Sequence, residues 1–502
     1  MRSNTGLRAT LARPDLFVEK MYINGQFVDA ASKKTLPVVN PATEEIIGSV
    51  PMGGSEDTRQ AIDAAYTALP KWARVPVRDR CEIVRKWGEL MMQNQADLAK
   101  ILTTEQGKAF EEAKGEIAYA AGFLDFFGKV GEDYLQDDII MDTPEKTVKA
   151  VKAPVGVVGA ITPWNFPSAM ITRKAGAAFV AGCTGVFKPS ELTPYSAFAL
   201  AKLGEEAGLP AGVFNVVTGD AATIGQELTD STKVQKITFT GSTRVGKLLL
   251  GQSANKVKRV SMELGGNAPF IICADADIER ALQQTIAAKL RNAGQTCVTP
   301  NRFIVHRSIA EKFANQLAEA FRKIKIGNGL APGVTMGPLI NTQAVEKVKQ
   351  QVDDARSKGA KILCGGEQPK LDGLSSQRFY LPTVIYGATP EMRCFNEETF
   401  GPLAPIFVFD TLDEAIQLAN NTRAGLAAYA FSEDPETCER LQNELEYGMV
   451  AINQGSVSLP SAPFGGVKES GIGREGSKYG LDEYITIKAV HITKTPKNAS
   501  KL

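Results

Sequence analysis

From about Val155 the chain alternates short β-rich runs with helical ones, and this alternation restricts the fold more than any other feature. The runs "GVVGAIT", "CTGVFKPS", "GVFNVV" and "KITFTG" follow one another in that order. Between the second and third, "TPYSAFALAKLGEEAGLP" has Thr193 placed as N-cap, Pro194 as first helical residue and Gly208 as stop. Strands alternating with helices imply parallel βαβ units, hence an α/β sheet of the dinucleotide-binding sort. A second alternation runs through "APFIICADADIERALQQTIAAKL", "NRFIVHRSIAEKFANQLAEAFRKI" and "PLAPIFVFDTLDEAIQLAN", which predicts a second α/β unit. The earlier segments "SEDTRQAIDAAYTALPKWARV" and "EEAKGEIAYAAGFLDFFGKV" have helical periodicity and pack as helices around the first sheet. "DDIIMD", "KTVKAV" and "EYITIKAVHIT" read as strands outside both units, and such strands often pair across subunits.

Composition narrows the chemistry. A chain of 502 residues exceeds one ordinary core, so two or three domains are expected. Its net charge of +1, without a long block of like charge, argues against a nucleic-acid or membrane-surface partner. The seven cysteines are scattered and never spaced as a CxxC pair, which suggests neither disulfides nor zinc and fits a reducing cytoplasm. With only His306 and His491, a histidine-based metal cluster or triad has almost no material, and no metal is expected. The N-terminus, "MRSNTGLRATLARPDLF", has three arginines and no acid before Asp15, faintly like a transit peptide, but lacks the apolar core of a secretory signal. The uncharged run from Ala153 to Thr172 carries three prolines and reads as strand, turn and helix start rather than a membrane span.

"RNAGQTCVTPNR" holds Cys297 among small and polar residues, with an arginine at each end. Free cysteine is commonly a small core hydrophobe, but glycine and polar neighbours suit an accessible nucleophile that attacks a carbonyl carbon. The resulting oxyanion needs donors. The Cys297 N–H and the side-chain amide of Asn165, bracketed by prolines in "ITPWNFP", would suffice. Glu263 in "SMELGGNAPF" is a candidate general base, following an apolar strand and preceding two glycines. "FTGSTRVGKLLL" joins strand to helix through Gly241, Ser242 and Gly246, either as a phosphate cradle or as a plain helix cap. In "FKPSELTP", Lys188 and Glu191 suit a ribose diol, although a solvated ion pair would look the same.

Together "PWNFP", "KPSELTP", "FTGSTRVG", "MELGG", "GQTC" and "EETFGP", in that order, resemble the NAD(P)-dependent aldehyde dehydrogenases, from "YINGQFVDA" near residue 22 to "GLDEYITIKAV" near 490. The resemblance implies an α/β fold with a Rossmann-type cofactor domain (1–129 and 150–263), an α/β catalytic domain (264–463) and a small β oligomerisation arm (130–149 and 480–498). It implies Cys297 as nucleophile, Asn165 in the oxyanion hole and Glu263 as activator of the hydrolytic water. Around the dinucleotide it puts Thr162, Pro163, Trp164, Lys188, Ser190 and Glu191, then Gly241, Ser242 and Leu264, with Glu398 and Phe400 at the nicotinamide end.

Within the family the chain looks most like succinate semialdehyde dehydrogenases, in which Arg173, Arg291 and Ser458 would bind the far carboxylate of a short aldehyde. The reading is therefore oxidation of a short anionic aldehyde through a cysteine thioester, by a cytoplasmic dimer or dimer of dimers. NAD is favoured over NADP because Glu191 would repel a 2′-phosphate, though Lys188 could soften this. Glutarate semialdehyde and 3-sulfolactaldehyde are alternative substrates. Alternative classes are a CoA-acylating semialdehyde dehydrogenase and a non-catalytic NAD-binding scaffold. Some relatives carry a second cysteine two residues after the nucleophile; Thr299 stands there, so no disulfide switch at Cys297 is expected.

Overall fold

The computed structural model describes residues 5–494. The first sheet runs, in spatial order, Gly471–Ile472, Arg259–Glu263, Val234–Thr240, Val157–Ile161, Thr184–Lys188, Phe214–Val216, Met21–Ile23 and Gln26–Val28. The middle five strands are parallel. Their order reverses between Val157–Ile161 and Val234–Thr240, the kind of crevice where α/β sheets bind ligands. Alternate residues serve opposite faces: Val158 and Phe187 join one core, Val157, Val186 and Ile237 another. Helices cover both faces, which is why these strands read as nearly unbroken apolar runs.

The helix Pro194–Ala207 ends at Gly208, whose φ of +105° is the left-handed conformation a helix stop uses. Its start differs from expectation. Thr193 occupies the cap position, but its hydroxyl makes no capping bond. Instead the carboxylate of Glu105 accepts from the N–H groups of Tyr195 at 2.7 Å and Ser196 at 2.8 Å. Burial pushes the Glu105 carboxyl up to about 8.

The second sheet has the order Lys361–Cys364, Thr383–Tyr386, Leu403–Phe409, Pro300–His306, Ala268–Ile272, Ala427–Phe431 and Met449–Ile452. All but the first strand are parallel, around a separate core.

The arm is a three-stranded antiparallel sheet of Asp138–Asp142, Lys146–Pro154 and Ile485–Thr493. Its boundaries differ from those expected. The helix Phe110–Tyr134 continues past 129, and the central arm strand reaches Pro154 because Ile485–Thr493 pairs along its whole length. Residues 1–4 and 495–498, assigned above to the cofactor domain and the arm, lie outside the described residues. The chain also recrosses after 463: Gly471–Ile472 pairs with Met262 and Glu263 at the edge of the first sheet. The uncharged run 153–172 forms a strand, a turn and the start of the helix Ala169–Val180. Among the described residues no helix is long and apolar enough to cross a membrane.

Candidate active site

The C-terminal ends of the parallel strands converge on one edge of the first sheet. Val157–Ile161 leads into Thr162, Pro163, Trp164 and Asn165; Thr184–Lys188 leads to Ser190 and Glu191; Val234–Thr240 leads to Gly241 and Ser242; Arg259–Glu263 leads to Leu264. A cavity of about 300 Å³ there is lined by Pro163, Trp164, Asn165, Gly241, Ser242, Glu263, Leu264, Cys297, Glu398 and Phe400. Ten residues far apart in the chain thus share one space. Thr162, Lys188, Ser190 and Glu191 lie off this lining at the neighbouring strand ends, and Arg173, Arg291 and Ser458 also lie outside it.

Cys297 precedes the strand Pro300–His306, on a loop whose approach is unusual. Asn292, Ala293 and Gly294 have φ of +51°, +55° and +77°. A Cβ on Gly294 would also fall 2.2 Å from the Gly401 carbonyl oxygen, so that position requires glycine twice over. Side chains fix the loop. Gln295 donates to the Asn292 carbonyl at 3.0 Å and accepts from the Ile340 N–H at 2.9 Å. Asn165 Nδ2 donates to the Gln295 carbonyl at 3.0 Å, leaving its second hydrogen for another acceptor. Gly266 of the "MELGG" stretch is needed for close approach, since a Cβ there would sit 2.3 Å from the Cys297 carbonyl oxygen.

The electrostatics favour neutral forms at the cavity. Burial pushes the Cys297 thiol up to about 12; nearby Arg173 opposes this, while Glu398 and Glu263 add to it. Burial also holds the Glu263 carboxyl well above its usual range, reinforced by the charge of Glu475. Behind Glu263, the carboxylate of Glu475 is ion-paired with both Arg173 and Lys174, and Lys174 Nζ donates to Thr240 Oγ1 at 2.7 Å. Burial works against the Glu475 charge, but the two cations outweigh it and keep that carboxyl below its usual range.

Arg173 sits one side chain behind the wall: its Nη2 meets the sulfur of Met170, a lining residue, at 3.1 Å. Arg291 donates to Ser458 Oγ at 3.3 Å and lies over the Phe166 ring, 4.8 Å from its centroid. The Tyr119 hydroxyl adjoins Arg173, Arg291 and Ser458 together. The other arginine of "RNAGQTCVTPNR", Arg302, points elsewhere; it is fully buried and donates to the carbonyls of Asn267, Leu418 and Ala419.

The remaining groups fit a dinucleotide. Lys188 Nζ and Glu191 Oε2 are 2.7 Å apart, and although burial works to raise the Glu191 carboxyl, Lys188 holds it below its usual range. Thr162 Oγ1 is buried without a partner beside them, a donor free for a ligand. Ser242 caps the helix Thr243–Ala254 by accepting from Val245 N–H at 3.4 Å. The Gly241 N–H is taken by the Glu263 carbonyl at 3.0 Å, so it is not among the donors a phosphate could use. Phe400, at φ +55°, sets its ring edge-on to Trp164 with centroids 5.6 Å apart. Glu398 accepts from Gly266 N–H at 3.1 Å.

Several residues escaped the sequence reading. Lys174 and Glu475 are among them, although the signal was present: two adjacent cations in the otherwise apolar helix "AMITRKAGAAFV" require a buried anion. Lys347, on the helix Thr342–Ser357, lines the cavity near Glu398 but resembles any surface lysine in sequence.

A dinucleotide-binding edge facing a thiol, an amide and a carboxyl defines a cofactor-dependent oxidoreductase of the cysteine-nucleophile type. Residues 27–490 match the aldehyde dehydrogenase family, and the chain belongs to that family. It is closely related to semialdehyde dehydrogenases. A glutarate-semialdehyde dehydrogenase of Pseudomonas aeruginosa is 50% identical over 94% of this chain and 97% of its own length. An NADP(+) succinate-semialdehyde dehydrogenase of Escherichia coli is 49% identical over 94% of this chain and 98% of its own. The crystal structure of a succinate-semialdehyde dehydrogenase from Burkholderia pseudomallei superposes with a TM-score of 0.94 at 49% identity, covering 97% of this chain and 100% of that one. The expected fold is therefore the observed one: a Rossmann-like NAD(P) domain, a catalytic domain and a β arm.

Proposed function

We propose that this protein oxidises a short anionic aldehyde, succinate semialdehyde first, to its carboxylate with NAD. One observation carries this reading: Cys297, Asn165 and Glu263 line a single cavity, and Arg291, over the ring of Phe166 next to Asn165, has no carboxylate partner within ion-pair distance among the described residues. A half-buried cation held by a hydroxyl and an aromatic face is poised for an anion. The four-carbon and five-carbon semialdehydes named for the relatives above both meet that requirement.

Cys297 adds through sulfur to the aldehyde carbon while its proton passes to solvent. The oxygen becomes an oxyanion, stabilised by the Cys297 N–H and the free hydrogen of Asn165 Nδ2. Thr162, Lys188, Ser190, Glu191, Ser242, Glu398 and Phe400 would hold NAD(P), which when bound would supply the hydride acceptor. Cys297 is left as a thioester. Glu263 in its carboxylate form takes a proton from water as that water attacks the acyl carbon, and the burial that raises the carboxyl makes it the stronger base. The carboxylate leaves and the thiol is restored.

Hydrolysis rather than transfer to CoA follows from having Glu263 in the cavity. Glu191 favours NAD, and its pairing with Lys188 weakens that preference without reversing it. The arm, with exposed Ile139, Ile140 and Ile487, is the surface through which a dimer or dimer of dimers would assemble. A panel of anionic and neutral aldehydes of matched length, each with NAD and NADP, with and without CoA, tests the reading. NADH formation confined to the anionic members and indifferent to CoA is the expected result; equal rates on neutral analogues would overturn it.

A further inference from the structure

The proposed chemistry leaves two buried charges without a use. Lys108 and Glu116 are both enclosed, with side-chain exposures of 1% and 0%, and are ion-paired with each other. Such a pair is a poor source of stability, because desolvating two charges costs about as much as their attraction returns. Its contribution is directional, and the direction is toward Asn165. Lys108 Nζ donates to the Asn165 carbonyl at 2.9 Å, while Glu116 Oε1 accepts from Ser168 N–H at 3.0 Å and Ala169 N–H at 3.3 Å. The turn carrying the amide is therefore gripped at both ends. Phe166, within that turn, has Lys108 Nζ 3.8 Å from its ring centroid and the Arg291 guanidinium at 4.8 Å.

One turn earlier on the same helix, Glu112 accepts from the Asn292 N–H at 3.0 Å, and Asn292 Nδ2 donates to the same Asn165 carbonyl at 3.0 Å. The element thus holds the left-handed turn before Cys297 as well. The segment leading into that helix, Gly107 and Lys108, is wedged against the catalytic unit. A Cβ on Gly329 would lie 2.4 Å from the Lys108 carbonyl oxygen, and one on Gly337 1.9 Å from that of Gly107.

We infer that Lys108, Glu112 and Glu116 are positioning residues, which register the Asn165 amide of one unit against the Cys297 loop of the other. The inference rests on the reading of Asn165 as an oxyanion donor.

A double-mutant cycle on the NADH burst, per Cys297 titrated by alkylation, tests it. Lys108→Met should slow the burst by about thirtyfold, with NADH affinity and the alkylation rate of Cys297 unchanged. In an Asn165→Ala background the same replacement should change the burst by less than about threefold, because the group it positions is already gone. Additive losses, or a wild-type burst in Lys108→Met, would overturn the inference. Should Lys108→Met not fold, Glu116→Gln carries the same cycle, with a loss of about fivefold expected in place of thirtyfold. Absence of a burst in the unsubstituted protein with every aldehyde would instead sink the functional reading, and this inference with it.

Discussion

Arg173 and Arg291 are the same side chain near the same tyrosine, yet they are held in opposite ways. Arg173 is fully enclosed and already has its counter-charge, Glu475, which it shares with Lys174. Arg291 is half-open, with a serine hydroxyl and an aromatic face as neighbours. In sequence they look like an equivalent pair of anion-binding groups. The difference teaches that a guanidinium's role follows from whether folding has already satisfied its charge.

The sharpest way to break this comparison is to remove each cation in turn. Arg173→Met should cost about 3–5 kcal/mol of folding stability, because it leaves a buried carboxylate with one partner fewer. Denaturant unfolding measures it, and a loss below about 1 kcal/mol would make Arg173 a ligand-binding residue like its neighbour. Arg291→Met should leave stability nearly unchanged but lower kcat/KM for an anionic aldehyde by about thirtyfold, roughly 2 kcal/mol, while sparing a neutral aldehyde of equal length.

The two also differ in their reach to the nucleophile. Arg173 is among the charges acting on Cys297, whose thiol sits up at about 12. With the thiolate as the reactive form, alkylation by iodoacetamide should rise roughly tenfold per pH unit between pH 7 and 9, since both values lie below the thiol's own. Arg291→Met should keep that profile; a displaced profile would show that Arg291 acts on the sulfur. The smallest effect is expected for Ser458→Ala, about 1 kcal/mol or fivefold in KM for the anionic aldehyde, from loss of one hydroxyl that orients Arg291.

Much of this architecture is legible in the chain because parallel sheets place their ligand-facing residues just after strands. "PWNFP", "FTGSTRVG" and "MELGG" each follow a β-rich run, so finding the strands also finds one edge of the cavity. What escapes is through-space pairing. Nothing in the spacing of Arg173 and Glu475, some three hundred residues apart, tells that they meet. The same holds for Glu105, which takes over the capping expected of Thr193, and for the Lys108–Glu116 pair beneath Asn165. The arm boundary moved for a related reason: the pairing of Lys146–Pro154 with the distant Ile485–Thr493 decides where the strand ends.

The central claim is that Cys297 carries the acyl group and Glu263 activates the water that removes it. Glu263→Gln mixed with succinate semialdehyde and NAD, then quenched and weighed as intact protein and peptides, tests both halves together. The account predicts one NADH per active site within the first turnover and a succinyl adduct on the peptide containing Cys297. NADH release at the steady wild-type rate with the thiol unmodified throughout would contradict it.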